Sequence, residues 1–163
     1  MRSAKLLILF VRGVFVEKLK RKLSLLNVPV YEIQEDSELT NVLYQHLDQL
    51  GEELVSAPLK LYFGTHNVDA ATSDNQLNVI VFQTLLAVEE SSILFVDKGV
   101  NDNINLLNVS HYSALIVQER NIVDSIEVAL HRISSASGYY NNYMEIISPD
   151  SIPSNSIIII KKD

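Results

Sequence analysis

The stretch Tyr112–Tyr140, YSALIVQERNIVDSIEVALHRISSASGYY, decides the reading of the fold. A short apolar run, Ala114–Val117, leads to a polar break at Gln118–Asn121. An amphipathic segment follows and closes on Gly138-Tyr139-Tyr140. That is the pattern of a strand, a cap and a helix. Asn121 reads as the N-cap, and Ile122, Ile126, Ala129, Leu130 and Ile133 as the buried stripe. Gly138 reads as a left-handed stop, where a residue without a Cβ carries no penalty.

Outward from this stretch the same unit recurs. Lys5–Val11, KLLILFV, has the length and continuous apolarity of a strand buried on both faces. Arg12-Gly13 reads as its end. Val14–Leu26 then has helical spacing, with Lys18, Lys20, Arg21 and Lys22 on a wet face. Val28–Ile33 is a second strand. Glu35-Asp36-Ser37 offers the N-cap of a helix whose apolar stripe, Leu39, Val42, Leu43, Leu47, Leu50 and Leu54, runs to about Val55, weakened or split at Gly51 by roughly 1 kcal/mol relative to alanine. Leu59–Phe63 is a third strand, and Gly64–Ser73 a polar loop. Gln76–Glu89 reads as a third helix, apolar on more than one face, and therefore buried between layers or covered by a partner. Ser92–Val96 is a fourth strand, and Val100–Val109 a short Asn-rich helix.

Five strands thus alternate with five helices in the sequence. Alternation of this kind predicts an α/β three-layer sandwich of flavodoxin type, with a mainly parallel five-stranded sheet in the order 2-1-3-4-5. Residues 1–148 make up this domain. Residues 149–163 form a tail in which Ile157–Ile160 adds a strand, at an edge or swapped into a neighbouring chain. Self-association is one expectation from this tail and from the apolar third helix; a buried helix and an added internal strand account for them equally.

Composition narrows the function classes. The 163 residues are 47% hydrophobic and 20% charged, which is globular. A net charge of -7 without a clustered basic patch argues against direct nucleic-acid binding. The absence of cysteine removes disulfides, thiolate metal sites and a Cys nucleophile, and suits the cytoplasm. The apolar run Leu6–Val11 is too short for a signal-peptide core or a membrane span.

Residues Asn103–Tyr140 resemble the C-terminal third of response-regulator receiver domains, especially those joined to LuxR-type DNA-binding domains. Ile126, Ala129, Leu130, Ile133, Gly138 and Tyr140 fit that family's last helix and its exit. The resemblance implies a receiver-like fold in signal transduction and transcription regulation. It also implies a phosphoacceptor Asp at the end of strand three, beside acids after strand one that hold a divalent cation. Here strand one is followed by Arg12-Gly13, and strand three by Gly64-Thr65-His66. Asp97 and Gln118 stand where the family has Ser or Thr and Lys. Those departures imply a pseudo-receiver that is not phosphorylated.

In an open parallel sheet, ligands bind at the carboxyl ends of the strands. The residues expected to rim such a site are Arg12, Thr65, His66, Asp97, Lys98 and Gln118. The first loop carries one glycine, Gly13, and matches neither phosphate-cradling pattern, so no cofactor is expected. His46, His66, His111 and His131 are too scattered for a metal site. Ser110-His111 with Asp97 lacks the sharp strand-to-helix turn of a nucleophilic serine. No catalytic residue is assigned. The chain thus reads as a non-enzymatic regulatory or protein-interaction module acting as a homodimer. The alternative is a flavodoxin-like domain that binds a small anionic molecule at the strand ends.

Overall fold

The computed structural model describes residues 2–49, 59–63, 77–97, 112–136 and 144–163, with the backbone alone at residues 2–12, 62–63 and 77–78. Within them lie three α-helices and eight β-strands in one sheet. The helices are α1 (Arg2–Leu25), α2 (Leu39–Gln49) and α3 (Ile126–Ser135). The strands are β1 (Val30–Ile33), β2 (Leu59–Phe63), β3 (Leu77–Val88), β4 (Leu94–Asp97), β5 (Tyr112–Gln118), β6 (Ile122–Val123), β7 (Met144–Ile147) and β8 (Ser156–Lys161). This is a mixed α/β fold rather than the expected five-stranded parallel sheet. The strand order is β1-β8-β5-β3-β4-β7, with β2 and β6 also paired to β3. The pairs β3–β4 and β4–β7 are antiparallel; the others are parallel.

Two expectations exchange places. Lys5–Val11 is helix, because α1 runs unbroken for 24 residues. A short apolar run does not by itself separate strand from helix, and a helix carries one glycine at about 1 kcal/mol. A Cβ at Gly13 would meet nothing within 4 Å, so no packing demand ends the helix there. Conversely, Leu77–Val88 is a 12-residue strand, not a helix. It is apolar on all sides because both of its faces are covered: Ile80 and Phe82 on one, Val79 and Val81 on the other. The β-branched run Val79-Ile80-Val81 suits a pleated strand.

Of the places expected for the tail strand, the internal one is observed: β8 is neither an edge nor swapped, but lies between β1 and β5. Ile157, Ile158, Ile159 and Ile160 are all buried, alternately toward the two faces. Each full burial of such a side chain contributes roughly 1.5–3 kcal/mol. Ser113 and Ser156, opposite each other on β5 and β8, share a buried hydroxyl hydrogen bond of 2.6 Å.

One face of the sheet, face 1, packs on α1 through Val16, Leu19 and Leu23 against Ile158, Ile160, Leu115 and Phe82. The other, face 2, is covered in two parts. Leu39, Leu43 and Leu47 of α2 cover Ile33, Ile157, Ile159 and Ala114. Ala129 of α3 covers Leu86, Val88, Phe95 and Val123. The start of α3 lies later than expected. Ser125, not Asn121, is its N-cap, accepting from the Val128 amide, because Ile122-Val123 is drawn into the sheet as β6. The short helix expected at 100–109 and the Gly138 stop lie outside the described residues.

Candidate functional site

The centre of the sheet has an irregularity on one edge of β3. Its first half pairs on that edge with parallel β2, ending at Phe63 opposite Val81. Its second half pairs on the same edge with antiparallel β4, whose Val96 lies opposite Thr84. The two partners therefore run toward each other and stop, and Phe82-Gln83 falls between them. The register slips between Thr84 and Leu86, so that one extra residue of β3, Leu85, is accommodated. This bulge restores Leu86 to face 2, under α3.

Gln83 is exposed at this gap, on face 2. Its side-chain amide Nε2 donates to the carbonyl oxygens of Thr84 and Ile116, both at 3.3 Å. Both N–H donors are therefore engaged with backbone acceptors, and the amide is fixed with its Oε1 left to accept. The adjacent Thr84 points to face 1, where its Oγ1 is fully buried and has no hydrogen-bond partner among the described residues.

Alternation along the strands places three more polar residues on face 2 near Gln83. Lys161 and Gln118 are direct partners on β8 and β5, and both are half-buried. Gln118 lies two residues beyond Ile116, the partner of Gln83. Diagonal neighbours of this kind are about 7–8 Å apart. Asp97 follows Val96, so the antiparallel course of β4 carries it beside Gln83. The row Lys161–Gln118–Gln83–Asp97 thus crosses four adjacent strands on face 2, between the parts covered by α2 and α3. At its outer end Lys161 meets Asp36 at 2.8 Å. A cation, two amides and a carboxylate in line offer both donors and acceptors to a small polar molecule.

The charges of face 1 are engaged differently. Glu32 of β1 is held by Lys20 and, at 3.1 Å, by Lys162. Partial burial alone would raise its carboxyl, but the hydrogen bonds from Lys20 and Lys162 outweigh it and hold Glu32 below the ordinary range. The hydrogen bond to Glu32 likewise raises Lys20. Glu89, at the end of β3, is 7% exposed and faces Lys22 at 3.3 Å and Lys18 at 3.7 Å. Lys22 also donates to the backbone carbonyls of Glu89 and Glu90. These lysines, expected on a wet face, tie α1 to the sheet. Beneath α2, the Nδ1 of buried His46 is 3.0 Å from the Tyr31 hydroxyl, which donates to Gln49 at 3.1 Å. Burial lowers the His46 pKa and raises that of Tyr31.

Of the expected rim residues, the fold brings Asp97 and Gln118 into one row. Arg12 is not in a loop after a strand; it belongs to α1. Thr65, His66 and Lys98 lie outside the described residues, as do Ser110 and His111. Gln83 and Lys161 complete the row and were hidden inside a segment read as helix and a segment read as tail. The one signal for Gln83 was a polar side chain interrupting an apolar run. Among the described residues, no group of three His, Asp or Glu is placed to hold a metal ion. None of the described helices is long and apolar enough to cross a membrane.

The fold is that of a mixed α/β domain with a central, predominantly parallel sheet. It is shared with the crystal structure of a DUF162 family protein from Deinococcus radiodurans at 1.70 Å resolution: the TM-score is 0.61, over 93% of this chain and 98% of that one. Sequence identity is 10%, so the likeness is one of fold. No protein-family model matches the chain, and no curated protein matches it significantly.

Proposed function

We propose that this chain is a binding domain for a small polar molecule, seated on face 2 along Lys161, Gln118, Gln83 and Asp97. The observation that carries the reading is Gln83. Its side chain is exposed in the middle of the longest strand, yet its Nε2 is fixed by two backbone carbonyls. An acceptor held in this way is preorganised for a ligand hydroxyl or amine, which lowers the ordering cost of binding. The Lys161 end suits an anionic or acceptor group on the same ligand. The site lies at the carboxyl ends of the parallel strands β5 and β8, where open sheets place their ligands. The role is recognition, without a catalytic step.

Thermal-shift screening against small polar compounds tests it, with wild type compared to Gln83→Ala and Gln118→Ala. A compound that stabilises wild type and loses its effect in both variants supports the reading. Stabilisers that act equally on all three proteins would place binding elsewhere. A second reading, a regulatory module that works through pairing with its own copy, is favoured by the open edge of β1.

A further inference from the structure

We infer that β1 is a self-pairing edge, at which two copies of this chain join their sheets antiparallel about a two-fold axis through Tyr31. β1 is the terminal strand of the sheet and pairs only with β8 among the described residues. The Pro29 carbonyl accepts from Ile158, and the Ile33 carbonyl accepts from Lys162. In a parallel ladder, alternate residues bond to the same side. The peptide groups of Val30 and Glu32 therefore face away from β8, toward the open edge.

This spacing selects a register. A two-fold centred on Tyr31 sets Val30 opposite the partner's Glu32, and each such pair exchanges both outward backbone hydrogen bonds. Directly opposite residues share a face, so Val30 and Glu32, both on face 1, are compatible. A centre on Glu32 would instead oppose two carboxylates. A centre on Val30 or Ile33 would leave the edge mostly unpaired.

The helix above the edge supports the same symmetry. Between α1 and β1 runs a groove of about 350 Å³, lined by Glu17, Arg21, Ser24 and Val30 among others. Glu17 has a side-chain exposure of 70% and pairs with Lys20 of its own helix at 3.2 Å, while Arg21 is exposed with no ion pair among the described residues. On α1 Glu17 and Arg21 are one turn apart, at (i, i+4) spacing. Two antiparallel copies of the helix set Glu17 against the partner's Arg21. The pair is thus self-complementary in charge, as an isologous interface requires. A heterologous partner would need a matching sequence of charges; a second copy carries it already.

Light scattering with charge reversal tests the inference. Wild type is expected at twice the mass of one chain. Glu17→Arg and Arg21→Glu should each weaken the dimer by roughly tenfold or more, and the double variant should restore it. Val30→Pro removes an outward N–H while sparing the bonds to β8, and should leave a monomer. If that variant fails to fold, the charge pair alone decides. A wild type that is monomeric at its highest soluble concentration overturns the proposal, as does a dimer indifferent to both single reversals.

Discussion

The two faces of the sheet use their polar residues in opposite ways. On face 1 one long helix lies across the sheet, and the charges near it are consumed: Glu32 and Glu89 each take two lysines. On face 2 two shorter helices divide the cover, and the strip between them holds Gln83, fixed by the backbone yet open to solvent. The lesson is that charge density does not locate a site. On face 1 the charges bind helix to sheet, and the proposed recognition row lies on the face with amides.

Breaking face 1 should have the largest effect. Ile158→Ala removes a fully buried side chain between α1 and the sheet and should cost about 2–5 kcal/mol in urea unfolding. Next comes the carboxylate. Glu32→Gln should lose about 1 kcal/mol at neutral pH, since its partners are partly solvated. The sign of its pH dependence follows from a folded pKa below the unfolded one. The stability it contributes is full above the ordinary carboxylate value of 4.5 and is lost as pH falls below it. The variant should therefore show a flatter acid limb.

Face 2 titrates in a different window. The buried His46 has a folded pKa below its ordinary 6.5, so stability is highest above that value and declines as pH falls through it. In His46→Gln the decline just below pH 6.5 should disappear while the acid limb due to Glu32 remains, which separates the two faces in one titration. A gain of about 1 kcal/mol is expected from Thr84→Val, which removes an unpartnered hydroxyl from the core. A gain of similar size is expected from Ser92→Gly, which relieves a left-handed backbone at φ 55. Gln83→Ala and Gln118→Ala should change stability least, by under about 0.5 kcal/mol. A large loss there would make the row part of the scaffold and remove the contrast between the faces.

Several elements were legible from short apolar runs and helical stripes. Leu59–Phe63 was read at its observed bounds, β1, β4, β5 and α3 within a few residues, and α2 as a helix whose expected end near Val55 lies outside the described residues. Where both faces of an element are buried, alternation vanishes; short runs such as β4 and β5 still read as strands by their length, whereas a run of helix length becomes ambiguous. Leu77–Val88 shows this, and its misreading concealed Gln83. The run Lys5–Val11 failed for the opposite reason: one glycine was taken as a break that a long helix absorbs. β4 was read as a strand over Ser92–Val96, but its antiparallel pairing, and β7 altogether, depend on partners that no local pattern encodes. The interior place of β8 depends on β1 and β5, both distant in sequence. The row of four polar residues arises only when those strands are laid side by side, so only its Asp97 and Gln118 were visible beforehand.

The position of β8 has a kinetic consequence. β1 appears early in the chain and, among the described residues, pairs with the rest of the sheet through β8, which lies far later in the chain. Closing such a distant contact costs loop entropy before any packing rewards it, so high contact order slows this step. During synthesis, the β3–β4–β5 core can assemble while β1 waits with its ladder groups on both sides unpaired. In that interval the nascent chain carries an adhesive segment, Val30–Ile33, under the cover of α1 and α2 alone. Arrival of the four isoleucines is the event that seals the domain, and a ribosome stalled just before them would release a polypeptide prone to aggregation.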